Sequence, residues 1–363
     1  MKKSILPLMG TMLLACLFLT DSPMLSAEGM PSPTPTPTPA PTVKPTPRID
    51  DPDEIIKIDT ELVNLNVRVV DRNSRPVNNL QEADFRIYED GKLQQIDFFS
   101  KSEVPTDYGI VVDNSGSLRS QLEKVIEAGK VLVNMNRQDD QTLIIRFVDS
   151  KKIEILQEFT SNKTDLNDAL ENMYIEGGQT AITDAVYLAV ESIDQHQVST
   201  RNEDRKRRAL ILVTDGEDRS SFYNEKQLFD LLRESEVQIY VVGFVDELSK
   251  DGGFISKSPQ AKARAFLERM ATESGGKAYF PSSPTELPNL AREISNELRT
   301  QYSIGYIPSN DRRDGTYRAI KVQVDDGPNA QKRIAITRAG RTADADGSAS
   351  PAPKPSPTPS KNP

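Results

Sequence analysis

Four stretches of this chain are apolar almost without interruption: residues 108–113 (YGIVVD), 142–149 (TLIIRFVD), 208–216 (RALILVTDG) and 237–244 (VQIYVVGF). A strand with one wet face alternates apolar and polar residues. Runs like these therefore belong to strands covered on both faces, as in a parallel sheet between two helical layers. Helical periodicity fills the intervals. Leu118, Leu122, Val125, Ile126 and Val133 mark one face of the first helix, and residues 225–235, 261–276 and 283–302 supply later ones. Strand alternating with helix predicts a doubly wound, Rossmann-like α/β domain over residues 107–300. Within it the Gly275-Gly276 pair is placed to end a helix.

The flanks have a different texture. ELVNLNVRVVD (61–71) alternates, and DFRIYEDGKLQQIDFF (84–99) carries a Glu-Asp-Gly turn between two alternating runs. About three strands fit there, too few to be stable alone. QYSIGYIP (301–308), YRAIKVQVDD (317–326) and KRIAITRAG (332–340) read as strands after the central domain. The expectation is one accessory β-sandwich assembled from residues 58–103 and 301–340, with Tyr302, Tyr306 and Tyr317 in its core.

Beyond the flanks, residues 28–57 and 341–363 are rich in proline, with PSPTPTPTPAPTVKPTPR (31–48) and SPAPKPSPTPSKNP (350–363) as extended spacers. Residues 1–27 read as an export signal, with Lys2 and Lys3 before an apolar stretch from Ile5 to Leu19. Two processing routes are open. LLAC (13–16) resembles a lipobox, which would make Cys16 a lipid anchor, but Leu17, Phe18 and Leu19 continue the apolar run and favour ordinary cleavage after Ala27. Either route places the chain outside the cytoplasm, secreted, periplasmic or lipid-anchored, with no transmembrane helix in the mature form.

Cys16 is the one cysteine and His196 the one histidine. Internal disulfides, thiolate metal sites, Cys/His nucleophiles and His/Cys zinc sites are thereby excluded, and a Ser-His-Asp triad would have to use His196. That residue, in the polar helix end DQHQVS, reads as a solvated surface group, and RNEDRKRR (201–208) as a solvated loop. The net charge of −9 argues against a nucleic-acid partner.

In a doubly wound sheet the binding crevice lies beyond the carboxyl ends of the strands, where strand order reverses. Asp113 ends one central run, followed by Ser115 and Ser117, and Asp215 ends another. A third loop, EGGQTAITDAV (176–186), turns on two glycines and opens a helix at Thr180. Asp113, Ser115, Ser117, Thr180 and Asp215 form an all-oxygen set suited to a hard cation, with Mg²⁺ the first choice and Mn²⁺ or Ca²⁺ the alternatives.

Asp-x-Ser-x-Ser, then Gly-Gly-x-Thr, then Thr-Asp-Gly, in that order, resemble the metal-ion-dependent adhesion site of von Willebrand factor type A domains. The flanks resemble those of a bacterial group of von Willebrand factor A-related proteins abundant in acidobacteria. In that family the two serines and the threonine contact the metal directly or nearly so, and the aspartates often act through bound water. The glutamine in GGQT, where many relatives have GGT, makes Thr183 the fallback ligand. Thr180 is adopted because TAITDAV reproduces the family's helix start.

Three neutral hydroxyls leave a cation incompletely neutralised, so it keeps its attraction for another anion. In the family that anion is an acidic side chain of a protein partner. The resemblance thus implies an exported, non-enzymatic binding or adhesion module. The alternatives are a metal-stabilised scaffold of an envelope complex and a Mg²⁺-dependent hydrolase, for which Glu217 and Asp218 would be the carboxylates to consider.

Overall fold

Two adjacent strand ends organise the fold, and the elements leading to them follow in chain order. The first flank supplies β1 (Val63–Asp71), β2 (Phe85–Glu89), β3 (Lys92–Gln94) and β4 (Phe98–Ser100). The central domain runs β5 (Thr106–Asp113), α1 (Leu122–Met135), β6 (Gln141–Phe147), β7 (Ile153–Thr160), α2 (Lys163–Glu171), α3 (Ile182–Ser199), β8 (Arg207–Thr214), α4 (Glu225–Glu234), β9 (Gln238–Gly243), α5 (Pro259–Ser274), β10 (Lys277–Tyr279) and α6 (Leu287–Arg299). The return flank supplies β11 (Tyr302–Tyr306), β12 (Tyr317–Val324), β13 (Arg333–Ile336) and β14 (Gly340–Thr342).

This computed structural model describes residues 62–101, 103–199, 206–251 and 257–345. The chain divides into two units, Met1–Lys57 and Ile58–Pro363, and every described residue belongs to the second. The export signal, Cys16, the proline-rich linker and the greater part of the proline-rich tail lie outside the described residues. Among the described residues no helix is long and apolar enough to cross a membrane.

The central sheet has the order β10-β9-β8-β5-β6-β7. Its pairs are parallel except β6–β7, an antiparallel hairpin at one edge that the sequence pattern did not announce. β5 is buried along its whole length, as its uninterrupted apolar run requires. Its alternate side chains go to opposite layers. Val111 joins Val186, Val190, Phe229 and Leu267 of α3, α4 and α5. Tyr108, Ile110 and Val112 join Val125, Leu132, Ile294 and Leu298 of α1 and α6.

Helix ends follow local sequence. Asn224 caps α4, and Ser258 caps α5 with Pro259 in its first turn. Gly275 ends α5 at φ +79°, the left-handed conformation that glycine adopts without Cβ strain. Gly276 then passes so close to β9 that a Cβ would sit 2.0 Å from the Ile239 carbonyl oxygen.

Both flanks contribute to both accessory sheets, ordered β13-β1-β11-β4 and β14-β12-β2-β3. Val63, Leu65, Val67 and Ile304 of the first sheet share one core with Phe85, Ile87 and Ile320 of the second, so the pair forms the expected sandwich. Tyr302 and Tyr306 are buried in it, whereas Tyr317 is 46% exposed beneath the Arg233 guanidinium and is not core. Strand β14 and buried Ala343 place the start of the tail later than residue 341.

Two expected surface features are structural instead. Arg207 is buried and donates to the carbonyls of Leu298 at 2.9 Å and Gln301 at 2.7 Å, satisfying the end of α6. Arg208 pairs with Asp194 and Glu236, and Lys206 with Asp107. These basic residues weld strand β8 to its neighbours, whereas 201–205 lie outside the described residues. His196 is half-buried, stacked on Phe159 with ring centroids 4.0 Å apart and its Nε2 2.7 Å from Gln141 Oε1. An aromatic neighbour brought in by β7 shields it, which a local reading of DQHQVS could not show.

Candidate metal centre

Strand order reverses between β5 and β8, which are paired in register from Thr106↔Arg207 to Val112↔Val213. Their ends, Asp113 and Thr214, therefore emerge side by side. Asp113 is fully buried. Its Oδ2 accepts the Thr214 hydroxyl at 2.8 Å, and its Oδ1 accepts the Ser115 N–H at 2.9 Å, an Asx turn that ends the strand. The turn brings Ser115 Oγ to 2.9 Å from Ser117 Oγ.

Asn114 fixes the third loop. Its side-chain amide donates to the Tyr174 carbonyl at 2.7 Å, and its own carbonyl accepts the Glu176 N–H at 3.0 Å. Gly178 packs against β6's exit, where a Cβ would lie 2.3 Å from Val148 Cγ1. Thr180 follows, buried, with its carbonyl accepting the N–H groups of Arg219 at 2.8 Å and Ser220 at 3.1 Å. On the β8 side Asp215 Oδ1 accepts the Glu217 N–H at 3.0 Å, across Gly216 at φ +89°.

Ser115, Ser117, Thr180 and Asp215 consequently line one cavity of about 300 Å³, together with Glu217, Arg219 and Leu248. Asp113 adjoins it through Ser115 without forming its wall. All five residues singled out in the sequence are thus brought together. Thr183 is not: its N–H and hydroxyl donate to Asp218, and it faces a second cavity. Asp218 also accepts the Ser221 hydroxyl at 2.8 Å, and Glu217 pairs with Arg219. Sequence reasoning missed the supports, Asn114, Thr214 and Asp184. Asp184 accepts the N–H groups of both Phe222 and Tyr223 at 2.8 Å, and its one sequence signal is an acidic residue in the first turn of α3.

Burial pushes the Asp113 carboxyl up to about 6; hydrogen bonds from Ser115 and Thr214 oppose the shift and the charge of Asp215 adds to it. Among the described residues neither carboxylate has a cationic side chain as partner. No group of three or more His, Cys, Asp or Glu side chains gathers there or elsewhere among the described residues. Two carboxylates without a cation, faced by three hydroxyls, fit a hard divalent ion and supply nothing soft for a thiophilic one.

The von Willebrand factor type A domain family model matches residues 107–293. The chain is 25% identical over 198 residues to an uncharacterized protein of Synechocystis sp., covering 54% of this chain and 42% of that protein. It is 25% identical over 218 residues to inter-alpha-trypsin inhibitor heavy chain H4 of Sus scrofa, covering 58% of this chain and 22% of the other. This chain thus spans less than half the length of either relative. Among solved structures, von Willebrand factor type A from Catenulispora acidiphila is similar over 78% of this chain and 75% of its own, at 12% identity and a TM-score of 0.44.

Proposed function

The chain belongs to the von Willebrand factor type A domain family, and we propose on that premise that it is an exported binding module that engages a carboxylate of a protein partner through a divalent cation. Domains of this family often mediate protein interactions through a metal-ion-dependent adhesion site and typically hold a divalent metal there. In this chain Ser115, Ser117 and Thr180 would offer hydroxyl oxygens to Mg²⁺, and Asp113 and Asp215 would supply the negative charge. The bound ion would supply a Lewis-acidic position for an incoming anion.

One observation carries the reading: four of the five oxygen-bearing residues line a single open cavity and the fifth is locked next to it by two hydrogen bonds. Because three of the four donors that line the cavity are neutral hydroxyls, the cation keeps a net attraction for an acidic side chain. The two carboxylates nearest in sequence for general-base work are engaged, Asp218 by Thr183 and Ser221 and Glu217 by Arg219, which supports binding over hydrolysis. Export rests on residues 1–27, with lipid attachment at Cys16 as the other route.

The test is calorimetric titration of the whole chain with Mg²⁺ and Mn²⁺, followed by binding to immobilised glutamate-bearing peptides with and without EDTA. One ion per chain and chelator-sensitive peptide capture are expected. Absence of heat with both ions at millimolar concentration would sink the metal reading. Capture that persists in EDTA would sink the metal bridge.

A further inference from the structure

Next to the metal centre the same loop builds a larger cavity. It has a volume of about 610 Å³, lies between the segment after β8 and the first turns of α5, and shares Glu217 and Arg219 with the walls of the first. Phe222, Tyr223, Pro259, Ala263 and Phe266 give it an apolar side. At 69% exposure, Phe222 is the most exposed large apolar side chain among the described residues.

That exposure does not come from a loose loop. The N–H groups of Phe222 and Tyr223 both donate to buried Asp184. The Tyr223 ring stacks on Tyr187 with centroids 3.9 Å apart, and Phe222 stands edge-on to Tyr223 at 5.4 Å. An aromatic held this way loses little freedom on binding, which is the property of an interface anchor. The rim is of mixed charge: Glu217, Asp218 and Glu225 line the cavity beside Arg219 and Lys262.

We propose that this groove receives a bulky apolar side chain from the same partner segment whose carboxylate goes to the metal centre. The inference rests on the metal-centre reading above and adds to it the partner's chemistry. The occupant is an extended peptide in which a phenylalanine- or leucine-sized residue lies a few positions from a single metal-directed Glu or Asp. The two cavities share Glu217 and Arg219 in their walls, which sets the path of the segment from the metal centre to the groove. The aromatic pair Phe222-Tyr223, between the Thr-Asp-Gly turn and the cap of α4, is the sequence signal of this surface.

The experiment uses the whole chain with saturating Mg²⁺ and fluorescein-labelled synthetic peptides. Each carries one Glu and either Phe or Ala one to four positions away, and binding is read by fluorescence anisotropy. At one spacing the Phe peptide is expected to bind roughly tenfold tighter than the Ala peptide, the change for taking one large apolar side chain out of water. Phe222→Ser, a surface change that leaves the loop's backbone hydrogen bonds in place, is expected to remove that preference and keep the affinity for the Ala peptide. Equal affinities for Phe and Ala peptides at every spacing overturn the proposal. So does self-association of the wild type that Phe222→Ser abolishes without any peptide preference, which assigns the groove to a second copy. Phe-peptide binding unaffected by EDTA or Ser117→Ala also overturns the joint segment, and traces the failure to the metal centre rather than to the groove.

Discussion

The Thr214 hydroxyl donates to the Asp113 carboxylate at 2.8 Å, across the two strands between which strand order reverses. The same Thr214 oxygen accepts the Gly216 N–H at 3.2 Å. One buried hydroxyl therefore ties the acid of the first strand to the turn that presents Asp215, and the two halves of the site are set by a single side chain.

Replacing Thr214 by valine keeps the volume and removes both bonds. The variant is expected to lose about 1–3 kcal/mol, since a buried carboxylate oxygen and a buried N–H are left without this partner. A lower urea midpoint at unchanged slope is the check. A midpoint equal to wild type would mean that neither bond persists in solution.

The sandwich is joined to the central domain by a buried pair, Arg68 of β1 with Glu297 of α6. Glu297→Gln leaves a buried guanidinium without its charge partner and is expected to cost about 3–5 kcal/mol. The double change Arg68→Met with Glu297→Leu removes both charges and is expected to cost much less than the single one. Urea unfolding of the three proteins decides it, and a double variant as damaged as Glu297→Gln would assign the loss to packing instead.

How much of this was legible in the sequence follows from the range of the interactions. The strand runs ending at Asp113 and Asp215, the Gly275 cap and the oxygen set are local patterns, and local physics places them. The sandwich was legible as a class because both flanks alternate. Its strand order was not, because β1 pairs with both β11 and β13, each more than two hundred residues away. Arg207 looked solvated for the same reason, since the carbonyls it satisfies arrive with a distant helix end. Edge strand β7 escaped notice because only Ile153 in it is buried, so no continuous apolar run marks it.

Metal binding should appear in stability as well as in heat. An ion that binds only the folded chain at a hundred times its dissociation constant stabilises by about 2.7 kcal/mol. Mg²⁺ is therefore expected to raise the thermal midpoint of the wild type, and Ser117→Ala, which removes a hydroxyl from the cavity wall, to shrink that rise. Equal midpoints with Mg²⁺ and with EDTA would contradict occupancy of the site.

Thr180 and Thr183 give the sharpest separation, because the sequence offers Thr180 as the ligand with Thr183 as its fallback and the structure gives them different partners. Thr180 lines the cavity with Ser115 and Ser117, while its carbonyl, not its side chain, holds Arg219 and Ser220. Thr180→Val therefore leaves the loop's backbone bonds intact and removes one oxygen donor. Mg²⁺ affinity is expected to fall at least about tenfold with little change in the metal-free urea midpoint. Thr183 donates its hydroxyl to Asp218, which keeps the Thr183 N–H and Ser221 as donors after substitution. Thr183→Val is thus expected to cost about 1 kcal/mol of stability and to leave Mg²⁺ affinity within about twofold of wild type. Calorimetric titration of both variants beside their urea curves reads the two effects separately. If Thr183→Val loses the ion and Thr180→Val keeps it, the glutamine in GGQT has shifted the loop by one helical turn's worth of ligand, and the metal centre must be rebuilt around Thr183.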